Sequence, residues 1–292
     1  MKLMIKSILA FAVLLSVADS VQSQTITIPD TLKGWEQSWV ANLNGSQASY
    51  NNWSQGGVSS ISGTASSVYM LLYQEDLFSY GFRTNLKYGQ SNVKGEGVRK
   101  TNDVISITNR FNYAFANHES WSGYANINFR TQFDKGYKYA TEDGQPDVLI
   151  SDFMAPGYLT EGAGIAYKPE GGSFVFEAGL GLKQTIVTDD SLAQNYGLEP
   201  DETIRSEGGL TTGITFEKEI FENIVYTSGV ETFTNFLIPV DETDVIWSNE
   251  LIGKINSIVS ASFQFEMRYD NDFSSELQVK QVLSAGVSVN LY

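Results

Sequence analysis

The chain has 292 residues, with 19 lysines and arginines against 34 aspartates and glutamates, a single histidine, no cysteine and a formal net charge of −15. That acidity argues against a protein built to neutralise nucleic-acid phosphates, which relies on basic patches. The missing cysteines exclude a disulfide framework and any thiolate metal site.

The first two dozen residues read as a secretory leader. Lys2 and Lys6 make the charged start, residues 8–17 the apolar stretch, and Ser20 or Ser23 a small residue suited to cleavage. The expected division is a signal peptide over residues 1–23 and one domain over residues 24–292. The apolar stretch is too short for a lasting membrane helix, and no later segment approaches the length that one needs. A mature chain that enters a membrane must therefore do so as a closed barrel, because open strand edges leave backbone groups unpaired in hydrocarbon.

Twelve strands follow, starting near Glu36, Val58, Leu77, Lys100, Trp121, Tyr158, Ser173, Ile204, Ile224, Asp244, Ile258 and Gln278. Several show a clean period of two. In the fifth, Trp121, Gly123, Ala125, Ile127 and Phe129 oppose Ser122, Asn126, Asn128 and Arg130; in the eleventh, Val259, Ala261, Phe263 and Phe265 oppose Ser260, Ser262, Gln264 and Glu266. All six prolines fall outside strand interiors, where they would remove a ladder donor.

The joints alternate. Short ones lie at 74–76, 117–120, 169–172, 219–223 and 254–257, and longer or more polar ones at 50–57, 92–99, 136–157, 188–203, 239–243 and 270–276. This is the pattern of an all-β, antiparallel, up-and-down transmembrane β-barrel of twelve strands. Short turns and both termini would face the periplasm, with long loops outside, in a bacterial outer membrane. Aromatic residues near strand ends fit interfacial girdles: Phe78, Tyr80, Phe115, Trp121, Phe174 and Tyr226 on the inner side, and Tyr88, Phe133, Tyr158, Trp247 and Tyr269 on the outer. A soluble β-sandwich or small soluble barrel would need a very large core to bury outward faces this apolar.

Parity then assigns the lumen. Its lining should include Arg83, Lys87, Arg110, Arg130, Lys183 and Arg268 together with Glu177, Glu207, Glu217, Glu231, Glu250 and Glu266. Lys280 has the same parity. Charges of both signs in a poorly hydrated interior require partners. They can fill a narrow barrel, or they can ring a water path that selects solutes. Twelve strands lie between packed and open barrel sizes, so both readings stay open.

No catalytic set emerges. The lone histidine, His118, falls in a short turn beside Glu119 and Ser120, which offers neither an oxyanion pocket nor a substrate groove. The outer loops carry acidic groups (Glu142, Asp143, Asp147 and Asp152; Asp189, Asp190, Glu199, Asp201 and Glu202; Asp241, Glu242 and Asp244), but no spacing matches a calcium loop. No cofactor or metal is expected.

Two segments carry resemblances. The final Val287-Ser288-Val289-Asn290-Leu291-Tyr292 resembles the signal by which the barrel-insertion machinery recognises its clients, with Asn290 departing from the usual hydrophobic residue. Trp35, Trp39, Asn44-Gly45-Ser46-Gln47 and Asn51-Asn52-Trp53-Ser54-Gln55-Gly56-Gly57 resemble the family called domain of unknown function 3078, of the Bacteroidota kind. Trp247-Ser248-Asn249-Glu250-Leu251 and Arg268-Tyr269-Asp270 extend the resemblance over most of the mature chain. It implies an outer-membrane barrel and brings no activity with it. The expected role is a narrow channel or transport protein for small or apolar solutes. The alternatives are a structural or partner-binding barrel using its outside loops and, behind that, a hydrolase. Its surroundings would be outer-membrane lipid and lipopolysaccharide, with the insertion machinery as partner during assembly and no nucleic acid.

Overall fold

Alternating side chains with prolines kept to the joints produce long, uninterrupted strands. The computed structural model describes residues 26–29, 31–49, 59–116, 118–140, 145–270 and 274–292. Residues 1–23, expected as a leader, the whole 50–57 joint and residues 271–273 of the 270–276 joint lie outside the described residues. The first half comprises β1 (Gly34–Ala48), β2 (Ser60–Glu75), β3 (Phe78–Val93), β4 (Gly97–Phe115), β5 (His118–Thr131), β6 (Gly136–Lys138) and β7 (Val148–Ser151). The second comprises β8 (Gly157–Tyr167), β9 (Phe174–Ile186), β10 (Ile204–Phe221), β11 (Ile224–Asn235), β12 (Asp244–Lys254), β13 (Val259–Asp270) and β14 (Ser274–Asn290).

Among the described residues, twelve of these strands close into an antiparallel barrel, in the order β1-β14-β13-β12-β11-β10-β9-β8-β5-β4-β3-β2. Each strand pairs with its sequence neighbour, and β1 meets β14 at the seam. That seam is short: it runs from Val40 opposite Asn290 to Asn44 opposite Gly286, whereas β1 and β2 stay in register from Gly34 to Ala48. Ser288 Oγ donates to Asn42 Oδ1 across the seam, and Leu291 N–H donates to the Trp39 carbonyl (2.8 Å).

The outer wall is apolar. Leu180 is 63% exposed and Leu283 81% exposed, and Ile127, Ile165, Ile214 and Val287 join them on the same face. A bilayer's hydrocarbon is the environment that an exterior this apolar on nearly every strand fits. At the short-turn end the aromatic side chains touch in runs. Trp35, Tyr73 and Phe78 form one, with Tyr80 and Phe111 beside it; Trp121, Tyr167, Phe176, Phe174, Phe216 and Tyr226 form another. Amphipathic rings at this level belong to the boundary between headgroups and acyl chains.

Two sequence expectations need correction. Tyr158, read as an outer girdle residue, points into the barrel and lines its cavity; it has the parity of Thr160 and Gly162, not of Leu159. Asp244, read as part of a solvated outside loop, also faces inward, where it meets Lys183. Within the 136–157 joint, β6 and β7 pair as a two-stranded sheet. Elements of three and four residues are too short to show a period.

The long loops share a core of their own. A 3-10 helix, Asp190–Tyr196, begins at Asp189, whose carboxylate accepts from the Ser191 N–H (2.9 Å), and ends at left-handed Gly197. Leu192, Ala193, Tyr196 and Leu198 pack with Ala155 and Val187, and Leu149 of β7 joins them. Tyr196 Oη donates to the Ile150 carbonyl (2.7 Å), tying the two longest loops together.

Candidate lumen site

The inward faces enclose a cavity of about 220 Å³, bounded by residues of β4, β5 and β8 through β13, with Ile26 also in its wall. One part of the inner wall has little side chain. Gly162 opposes Gly181 and Gly164 opposes Gly179 between β8 and β9, while Gly181 opposes Gly209 on β10. Larger neighbours occupy that bare strip. The Tyr124 hydroxyl lies 2.7 Å from where a Cβ at Gly179 would be, and the Phe233 ring lies 2.8 Å from the same position at Gly209. Glycine here permits close packing of rings against backbone.

Charges gather in three places. At mid-height Arg110 on β4, which is buried, pairs with the partly buried Glu177 on β9. The Arg110 guanidinium also lies 4.8 Å from the Tyr124 ring centroid and donates to Asn112 Oδ1 (2.9 Å). Glu231 on β11 lines the same cavity, and it and Glu177 flank Gly213.

Toward the long loops, Lys183 Nζ sits 2.7 Å from Asp244, 3.8 Å from Glu207 and 4.0 Å from Asp270. Arg205 meets Glu207 at 3.1 Å, and Asn235 Nδ2 donates to the other Glu207 oxygen (2.9 Å). Arg130, Tyr158 and Arg268 share this half of the cavity. Arg268 reaches Glu266 at 3.3 Å, with Lys280 opposite Glu266 in the ladder.

The third place is on β12 and β13. Glu250, only 2% exposed, accepts from Gln264 Nε2 (2.8 Å). Of the other residues assigned by parity, Arg83 and Lys87 sit on β3 opposite Met70 and Ser66, and Glu217 sits on β10 opposite Thr227. Register puts all twelve on the face that carries Arg110 and Glu177. The structure brings together Arg110 with Glu177 and Glu231, and Lys183 with Glu207. It adds Tyr124, Tyr158, Arg205, Asn235, Asp244 and Asp270, which sequence reasoning missed. Parity was the signal available for Tyr124 and Tyr158.

Two loop groups have shifted acidities. Hydrogen bonds from the Ser191 hydroxyl and N–H hold the Asp189 carboxyl below the ordinary aspartate range. Burial pushes the Tyr196 hydroxyl above the ordinary tyrosine range. His118 opens β5 at the short-turn end and is exposed, and among the described residues of its turn none lines the cavity.

An apolar exterior, a continuous hydrogen-bonded wall and a charged interior define a membrane-spanning β-barrel. Residues 46–137 match the family described as Protein of unknown function (DUF3078), the family whose Asn-Trp-Ser-Gln-Gly-Gly stretch the chain resembles. The match ends at Tyr137, so Trp247-Ser248-Asn249-Glu250-Leu251 and Arg268-Tyr269-Asp270 lie outside it. No curated protein matches the chain. Among solved structures, the chain is similar to the translocator domain of the autotransporter NalP from Neisseria meningitidis, at 13% identity and TM-score 0.42, covering 89% of each chain. It is also similar to a deltaS2 mutant of the TodX monoaromatic hydrocarbon channel (10%, TM-score 0.35, 82% of this chain and 75% of that one). A third is Pseudomonas putida OprB (8%, TM-score 0.32, 88% and 94%).

Proposed function

We propose that the protein is a non-enzymatic transport barrel of the bacterial outer membrane, passing small solutes through a narrow, charge-lined lumen. The observation that carries this reading is the cavity itself. It lies on the barrel interior between Arg110, Glu177 and Glu231 on one side and Lys183, Asp244 and Asp270 on the other. A packed interior would leave no such space. At about 220 Å³ it is smaller than the roughly 300–1,000 Å³ of sites for drug-sized ligands, so its occupant is small. Cations and anions side by side suit a polar solute that presents both a donor and an acceptor end.

Purified protein in planar bilayers should give discrete conductance steps, and liposomes containing it should swell faster in a small zwitterion such as glycine than in a trisaccharide. Silent bilayers and liposomes with a demonstrably folded barrel would end the transport reading. A partner-binding role has one specific observation in its favour: the loop core leaves Phe153, Val148 and Ile150 exposed. Deleting residues 136–156 should then abolish association with an envelope partner while the barrel still folds; an unchanged set of partners removes this second reading.

A further inference from the structure

Residues 26–29 lie within the barrel. Ile26 and Ile28 are buried together with Leu72 of β2, and Met70 and Leu32 pack against them. Leu72 and Met70 share the inward parity of Ser66 and Gln74, and stand out on that face as a greasy shelf near the short-turn end. Beside the shelf, opposite Leu72 in the ladder, is Gly81. Its missing side chain is where Ile26 sits: a Cβ built at Gly81 would lie 2.6 Å from Ile26 Cγ2. Two independent features of the wall, an apolar pair and an adjoining gap, are thus complementary to one short segment. Ile26 also forms part of the boundary of the central cavity.

The chain leaves the lumen through a turn, with Leu32 N–H donating to the Pro29 carbonyl (3.0 Å), and enters β1 at Gly34. Gly34 has a φ of +77° and nothing near its Cβ position, so it redirects the chain at little steric cost. Withdrawal of the segment needs no β-strand to break, because its contacts with the wall are apolar and none of the paired strands includes it.

We propose that residues 26–29 are a plug belonging to this chain, seated on Gly81, Met70 and Leu72, and that solute passes only when the plug leaves that seat. The proposal rests on the transport reading. It goes beyond that reading by naming the element that opens and closes the path.

The absence of cysteine permits a clean test, since an I26C/G81C variant can form only one intramolecular bridge. Ile26 Cβ lies 3.3 Å from the Cβ position at residue 81, close to the roughly 3.8 Å mean of disulfides. The double variant, oxidised and reduced, and a form lacking residues 26–29 are compared for KCl conductance in planar bilayers. Folding is checked by heat-modifiable migration and bridge formation by mass spectrometry. Conductance should be lowest when oxidised, at least tenfold below the deletion form, and the reduced form should conduct at a level between those limits. A bridge that never forms under oxidant overturns the placement of the plug. An oxidised form conducting as well as the deletion overturns the plug and leaves transport standing. A deletion form that is folded yet silent overturns the plug and the transport reading together.

Discussion

Arg110 and Glu177 meet across the barrel interior although their strands, β4 and β9, are separated in the sheet by β5 and β8. A contact between non-adjacent strands spans the barrel interior, so this pair braces the wall. Its energetics are those of a buried pair, where removing one partner strands the other.

Arg110→Ala should therefore destabilise the barrel by about 3–5 kcal/mol, measured by denaturant unfolding in detergent, because Glu177 and Glu231 are left facing each other. The double variant R110M/E177M should recover most of that loss. A single variant as stable as the wild type would show that the pair contributes no bracing.

Lys183 stands among Glu207, Asp244 and Asp270. Lys183→Met leaves three carboxylates without their shared cation at the long-loop half of the lumen. Under a KCl gradient the reversal potential should move toward that of a cation-selective pore. Movement toward anion selectivity would contradict this arrangement.

Gly164 tests the bare strip of wall. A Cβ there would press on the Ala178 carbonyl oxygen and lie 2.5 Å from Gly179 Cα, both backbone atoms that cannot step aside. Gly164→Ala should cost about 1–3 kcal/mol, a typical overpacking penalty, and lower the refolding yield. Gly45→Ala, where the nearest atom is Ser62 O at 3.5 Å, should refold normally and serves as the control.

The loop core should respond separately from the barrel. Tyr196→Phe removes one buried hydrogen bond to Ile150 and should weaken the core by about 1 kcal/mol, read as faster protease cleavage within residues 187–203. Acid should act on the same region through Asp189. Its carboxyl is depressed in the folded state, so its contribution is present above the unfolded pKa and is lost as pH falls through the folded one. Cleavage should rise on acidification in the wild type, and Asp189→Asn should flatten that dependence.

Most of the wall was legible because a period of two over ten or more residues is hard to mistake. β10, β11 and β12 begin at Ile204, Ile224 and Asp244, where sequence reading places them, since a polar joint ends abruptly there. β14 begins earlier than Gln278, at Ser274, because Ser-Ser-Glu-Leu has no alternation to mark it. The lumen was legible as a set of residues by parity, but its partnerships were not. Arg110 and Glu177 are 67 residues apart, and which cation reaches which anion depends on the stagger of closure. Whether residues 25–32 enter the lumen stays open in the sequence for another reason. Ile26 and Ile28 alternate with Thr27 as a strand would, and only Gly81, far along the chain, reveals where they fit.

The seam has a consequence for how the molecule is made. Of the barrel strands, β1 is the first to emerge from a ribosome and its second neighbour, β14, the last. Until β14 is made, the other barrel strands can form only an open sheet with two unpaired margins and a greasy back. Its cylinder is completed only once the first and last of these strands are both in hand.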